Sequence, residues 1–366
     1  MKSLYLKQII NFFGPWESFD FNEKTPEEII KTFKTKAGHP FQMILDYKMD
    51  CKIVNDFTQF EWLEYFYGEN PRLKSYVIEN TINPYNLDEI NFDKYDFVYT
   101  DDPFLSKELL RKNKNTVFGW LASEHWGSNN KNYLYYDIFF DHQKKRHNFA
   151  NNRKLISFPR SINNMRNIFN INDKKFIFLD NRSILSENFN SELNKFSKLK
   201  FIKKSKKSES SFYFDPEETG KESFNYFNNL ATSKYVISNS FRHGQLFMDG
   251  ASLGAICIGN NSKYSNLLPI HPLCQVDQES AILALIYEIE NDKKLENKIL
   301  NHQDKVLNNT NNIFRSAIAS NLKNKKKASF KFILFFRRLN LNILDSIFHI
   351  TKNVYLKLKM FKENKI

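Results

Sequence analysis

Along the first half of the chain, short apolar runs alternate with longer amphipathic stretches. Ser3 to Ile10 predicts a strand, and Phe13-Gly14-Pro15-Trp16 predicts the turn that ends it. Thr25-Pro26-Glu27-Glu28 has the form of a capping box with proline at the first helical position, opening a helix that ends near Gly38. Phe41 to Tyr47 predicts a strand and Phe57 to Tyr67 an aromatic helix. Tyr76-Val77-Ile78 and Tyr95 to Tyr99 read as strands, Phe104 to Arg111 as a helix, and Thr116 to Trp120 as a further strand. Strands separated by helices predict a parallel sheet covered on both faces. Between Gly127 and Arg153 the pattern turns polar and irregular, and Leu155 to Phe158 resumes an apolar run before Pro159-Arg160.

The second half repeats the alternation. Lys175 to Leu179 predicts a strand running into Asp180-Asn181-Arg182. Thr219-Gly220-Lys221-Glu222 predicts a capped helix through Leu230. Asp277 is expected to cap a helix through Glu290, with Ile282, Leu285, Ile286 and Ile289 on one face. Asn291-Asp292 then restarts a helix carrying Leu295, Ile299, Leu300 and Val306. The pattern therefore predicts an α/β protein of two Rossmann-like domains facing across a cleft. An amino-terminal domain spans residues 1–150 and a carboxy-terminal domain spans 151–320. The changeover falls between Gly127 and Asn170, and a basic helical tail covers 321–366.

The stretch from Ala231 to Gly259 carries the most chemistry. Tyr235-Val236-Ile237 is a β-rich run. Ser238-Asn239-Ser240 follows, then Arg242, His243 and Gly244. Gln245 to Leu253 can form a helix, Gly254 can end it, and Ala255 to Ile258 is a second buried strand. A strand that opens through small polar residues into a helix start aims backbone N–H groups and the positive dipole end at one spot. Arg242 and His243 add donors there. The arrangement suits an anion site, and an enzyme handling a phosphorylated or nucleotide-activated substrate. Ser and Asn before a helix also serve as ordinary caps.

Charge sharpens this picture. The net charge of the 366-residue chain is +13. Residues 321–366 hold 12 of the basic side chains against 2 acidic ones, a surplus of +10, which leaves +3 over residues 1–320. A nearly neutral body argues against a nucleic-acid partner. In the tail, Lys325-Lys326-Lys327, Lys331 and Arg337-Arg338 flank Phe330 and Phe332 to Phe336. That mixture fits a helix lying on an anionic membrane surface, or a helix packing its apolar side on the first domain. The run is too short to span a bilayer. Cys51, Cys257 and Cys274 lie far apart, so neither a zinc framework nor a disulfide scaffold is expected, and a cytoplasmic setting follows. The amino terminus lacks the apolar core and small-residue cleavage site of a signal peptide.

ATSKYVISNSFRHGQLFMDGASLGAICIGNN, followed by VDQESAILALIYEIENDKKLENKILNHQDKV, resembles the carboxy-terminal half of GT-B glycosyltransferases. Asp249-Gly250-Ala251-Ser252-Leu253-Gly254 matches that family's spacing of an acidic residue five positions before a glycine. The family's usual Glu is Asp249 here, and its first Glu falls on Arg242, so the two-Glu signature is absent. The resemblance implies transfer of a sugar, of hexosyltransferase type, from a nucleotide-sugar donor to a glycan or lipid-linked acceptor in surface polysaccharide synthesis. It implies no metal and no cofactor. Donor-binding candidates are Arg182, Asn239, Ser240, Arg242, His243 and Asp249, the last as a ribose hydrogen-bond acceptor. Arg182 reads equally as a surface arginine. Catalytic base candidates are Glu124 and His125 in LASEHWG, and Gly14 and Trp16 are candidates for a cleft loop after the first strand. The tail is expected to hold the enzyme peripherally at the inner face of the membrane. A nucleotide-sugar epimerase of the same architecture, or a non-catalytic binding or assembly protein with a decayed site, fits the same residues.

Overall fold

The computed structural model describes residues 1–8, 18, 20–25, 27–29, 31, 47–55, 84–100, 104–121, 135–141, 153–156, 160, 162–180, 185–203, 216–238, 244–260 and 267–326. Among the described residues ten strands form two wholly parallel sheets. The first takes β1 (Ser3–Gln8), β2 (Asp50–Val54), β3 (Phe97–Thr100), β4 (Val117–Leu121), β5 (Ile138–Asp141) and β6 (Arg153–Leu155), in the order β2-β1-β3-β4-β5-β6. The second takes β7 (Phe176–Leu179), β8 (Lys200–Lys203), β9 (Ser233–Ser238) and β10 (Ile256–Gly259), in the order β10-β9-β7-β8. The strands of one sheet end at Leu155 and those of the other begin at Phe176.

Strand residues alternate between the faces of the first sheet. Leu4, Leu6, Val98, Phe118, Trp120 and Phe139 bury one face, where the Trp120 and Phe139 rings stack with centroids 4.2 Å apart. Tyr5, Phe97, Tyr99 and Phe140 bury the other face, and this core is continuous with that of the second sheet. The strand expected at Phe41–Tyr47 falls mostly outside the described residues. Tyr47 itself is helical, and a strand beside β1 forms instead at Asp50–Val54. Its polar start is held because buried Asp50 accepts from Phe21 N at 2.8 Å and lies 3.4 Å from Lys2 Nζ.

The helices are α1 (Lys107–Lys112), α2 (Ile162–Ile168), α3 (Glu187–Asn194), α4 (Pro216–Ala231), α5 (Gly244–Ser252), α6 (Glu279–Asn291) and α7 (Lys293–Lys326). Several local signals act as expected. The Thr25 and Glu28 pair closes reciprocally, Glu28 Oε2 accepting from Thr25 N at 2.8 Å and Thr25 Oγ1 from Glu28 N at 3.2 Å. Asp292 Oδ1 accepts from Lys294 N and Leu295 N and starts α7. Ile282, Leu285, Ile286 and Ile289 form the buried face of α6.

Two caps differ from expectation. Helix α4 begins at Pro216, so Thr219 lies inside it; proline suits a first turn, whose N–H groups have no intrahelical partner. Helix α6 begins at Glu279 after Gln278, and Asp277 accepts instead from Asn260 Nδ2 at 3.2 Å.

Helix α7 is 34 residues long and runs unbroken through residue 321, where a separate tail was expected to begin. It starts against α6 and reaches the first sheet. There Phe314 sits between Phe140, Phe97 and Tyr47, with ring centroids 4.7, 6.0 and 4.6 Å away. Further along, Lys325 Nζ lies 2.7 Å from Asp137 Oδ2 and donates to the carbonyl of Thr116. The helix thereby clamps the second sheet's helices to β4 and β5. Residues 327–366, which hold most of the basic and aromatic tail, lie outside the described residues. Among the described residues no helix is long and apolar enough to cross a membrane.

Candidate functional site

In an open parallel sheet, ligands bind beyond the carboxyl ends of the strands where the order reverses. In the second sheet, β8 lies on one side of β7 and β9 on the other, so the reversal falls between β7 and β9. The two chain ends that meet there are polar and buried. Asp180, directly after β7, donates its N–H to Ile237 O at 3.2 Å, and its Oδ2 accepts from Ser238 Oγ at 2.9 Å. Ser238 is the last residue of β9, and α5 begins at Gly244. The first sheet reverses between β1 and β3, whose carboxyl ends are Gln8 and Thr100.

Beneath the second reversal lies a buried ionic cluster. Asp249, in the middle of α5, is 0% exposed, and Arg160, in the segment joining the sheets, is 2% exposed. Arg160 Nε donates to Asp249 Oδ1 at 2.8 Å, and Tyr226 Oη of α4 donates to Asp249 Oδ2 at 3.1 Å. Burial, then the charges of Asp249 and Asp180, holds the Tyr226 hydroxyl well above its ordinary pKa, so it stays a donor. The backbone of Arg160 is held as well. Its carbonyl accepts from Asn311 Nδ2 of α7, and Asn311 Oδ1 accepts from Tyr47 Oη at 2.6 Å.

Helix α5 is seated closely. A Cβ on Gly250 would lie 2.8 Å from Val236 Cγ2, so glycine there lets the helix lie directly on β9. Its far end closes in a Schellman motif. Gly254 has φ +73°, its N–H donates to Ala251 O at 2.9 Å, and Ala255 N–H donates to Gly250 O at 2.9 Å. Cations also donate to carbonyls of that end. Arg166 of α2 donates to Ala251 O and Ser252 O, and grips Asp304 with two bonds of 2.7 and 3.2 Å. Lys174 Nζ donates to Ala231 O and Leu253 O, both at 2.7 Å. Burial and the neighbouring Arg166 lower its pKa to about 7.

Of the residues expected at the site, Asp249 is described. The ribose-accepting role expected of it meets a carboxylate that is fully buried and accepts from Arg160 and Tyr226. Gly14, Trp16, Glu124, His125, Arg182, Asn239, Ser240, Arg242 and His243 lie outside the described residues. In sequence, Gly14 and Trp16 follow β1, and Glu124 and His125 follow β4. Arg182 follows β7, and the last four lie between β9 and α5. Sequence reasoning placed Ser238 and Asp180 at polar strand ends without pairing them, and missed Arg160 and Tyr226 as members of this region. One signal was present: Asp249 is the single charge in the apolar helix Gly244–Ser252, and a lone acid there requires a buried partner.

The fold and these chain ends define an α/β protein with a point of reversed strand order in each parallel sheet. Solved structures similar to it include the following two. One is Alr3699/HepE of Anabaena in complex with UDP and glucose, with 11% identity and a TM-score of 0.40 over 87% of this chain and 100% of that one. The other is a glycosyltransferase of Rickettsia africae ESF-5, with 14% identity and a TM-score of 0.42 over 89% of this chain and 98% of that one. No protein-family model matches the sequence, and no curated protein matches it significantly.

Proposed function

We propose that this chain is a GT-B-type glycosyltransferase that moves a sugar from a nucleotide-sugar donor to a glycan or lipid-linked acceptor. The observation that carries the reading is the buried Asp180 and Ser238 pair at the reversal of the second sheet. It stands immediately before the residues that lead into α5. In this reading the departing diphosphate is met by the amino-terminal end of α5, with Arg242, His243 and Arg182 as charged donors and Asn239 and Ser240 as polar ones. These groups take the charge in place of a metal ion. Asp249 supports the donor side from beneath, through its partners, and the ribose falls to other residues.

The first sheet supplies the acceptor side. Its base is His125 or Glu124, in the segment after β4; an unperturbed His titrates near ~6.5, suited to removing a hydroxyl proton at neutral pH. Gly14 and Trp16, following β1 at the first reversal, line the acceptor path. The basic residues after α7 hold the protein at the inner face of a membrane, where each Lys or Arg near anionic lipid contributes about 1 kcal/mol.

The test is a thermal-shift screen of the full chain against nucleoside diphosphates and nucleotide sugars. A ligand at a hundredfold excess over its Kd adds about 2.7 kcal/mol of stability. Stabilisation by one nucleoside diphosphate, with acceptor-dependent release of that diphosphate from its sugar, is the expected result. Turnover of the free nucleotide sugar without an acceptor would identify an epimerase. The absence of stabilisation by every nucleotide would leave a binding or assembly protein.

A further inference from the structure

Arg160 is the point at which four separate parts of the chain meet. Its guanidinium pairs with Asp249 of α5, which Tyr226 of α4 also holds, and its carbonyl accepts from Asn311 of α7, which Tyr47 holds in turn. A buried ion pair of this kind gains little net stability over an apolar pair of similar volume, because both charges leave water. What it supplies is geometry, since the planar guanidinium and the carboxylate accept one arrangement. Asp249 lies one and a half turns into α5, and Gly250 beside it seats the helix on β9. The pair therefore fixes α5 both along and around its axis.

We propose that Arg160 is a positioning residue, which through Asp249 locks α5 to the segment joining the two sheets and so aims the amino-terminal end of α5 at the reversal between β7 and β9. The consequence for donor binding rests on the function proposed above; the anchoring of α5 does not.

The experiment compares the full wild-type chain with Arg160→Met/Asp249→Leu and with Arg160→Lys. Hydrogen exchange and the thermal midpoint are read for each, together with the affinities for UDP and UMP. The double variant is expected to keep its thermal midpoint within a few degrees. Its α5 amides should exchange about tenfold faster while β7, β9 and α6 keep their protection. Arg160→Lys, which keeps the charge but loses the planar fork, should speed α5 exchange by less than the double variant does. In a chain that binds UDP, the UDP-over-UMP preference of the double variant should fall by about tenfold, because the diphosphate end of the ligand loses its aim. A merely structural role would raise exchange throughout and weaken both ligands alike. Unchanged α5 exchange in the double variant overturns the proposal, as does uniform loss of protection. Should the double variant fail to fold, Asp249→Asn tests the same point by exchange confined to α5. A wild-type chain that ignores UDP and other nucleotides while the double variant loosens α5 alone would keep the anchoring and overturn the donor reading.

Discussion

Two arginines close to one another in the chain grip the same helix in opposite ways. Arg160 reaches the middle of α5 and is buried with its partner, at 2% and 0% exposure. Arg166 reaches the carboxy-terminal end, where it and Asp304 are 25% and 33% exposed. Arg166 meets four acceptor atoms, two of them backbone carbonyls at the helix end. Its charge also opposes the negative end of the helix dipole. Arg160 holds an oxygen of the Asp249 carboxylate through Nε, with both groups buried away from water. The pair at the end of the helix is thus organised for stability, and the pair in its middle for position. The amino-terminal end of α5 lies beyond the buried pair, opposite the end that Arg166 and Lys174 secure.

The largest effect expected from breaking this contrast is in Arg160→Met alone. It strands the Asp249 carboxylate in a dry interior, and losing one partner of a buried pair costs about 3–5 kcal/mol. Denaturant unfolding should show that loss, and adding Asp249→Leu should recover most of it. Gly250→Ala comes next. Helix propensity alone favours alanine by about 0.5–1 kcal/mol. The new Cβ, however, would meet Val236 Cγ2 at 2.8 Å inside the core. A net loss of about 1–3 kcal/mol, typical of overpacking, is expected in the same assay. Arg166→Met should cost less, about 1–2 kcal/mol, because water screens a half-exposed pair and solvates the freed carbonyls. If Arg166→Met costs more than Arg160→Met, the contrast is reversed.

How much of this could be read beforehand follows from where each part gets its stability. Strands β3, β4, β7, β9 and β10 are apolar runs buried on both faces, so their sequence carries the signal alone. The stop at Gly254 was legible for the same local reason: a Schellman closure needs a residue with positive φ. Strands β2, β6 and β8 were not legible, because Asp50 and Lys52, Arg153 and Lys154, and Lys200 and Lys203 interrupt them. Those strands lie at sheet edges, where lysine and other charges are tolerated. Strand β5 is only Ile138–Asp141, inside a polar stretch. At the site, the approach of Asp180 to Ser238 depends on β7 and β9 being neighbours, and strand order is not written locally. The Arg160 and Asp249 pair spans 89 positions, and only the lone acid in an apolar helix hinted at it.

Lys174 offers the smallest effect and isolates the carboxy-terminal end of α5. Its ammonium is buried beside Arg166, and both conditions disfavour the charged form, lowering its pKa to about 7 from an unfolded value near ~10.4. Below pH 7 the folded and unfolded chains both carry the proton, and the penalty on the folded chain is complete. Between pH 7 and about 10.4 the unfolded chain binds one more proton than the folded chain, so stability rises with pH through this group. The rise should amount to about 1 kcal/mol between pH 7 and 8, since one full proton corresponds to ~1.4 kcal/mol per pH unit. The measurement belongs between pH 7 and 9. At higher pH, ordinary tyrosines in the unfolded chain begin to ionise while Tyr95, Tyr226 and Tyr235 stay protonated in the fold, so stability falls and the signs oppose. Lys174→Met should lower stability overall, because the carbonyls of Ala231 and Leu253 lose their donor, and it should also flatten the slope. Urea unfolding of both proteins at pH 7, 8 and 9 reads the two effects separately. Equal slopes would mean that Lys174 keeps its proton throughout and that the helix end holds two full positive charges side by side.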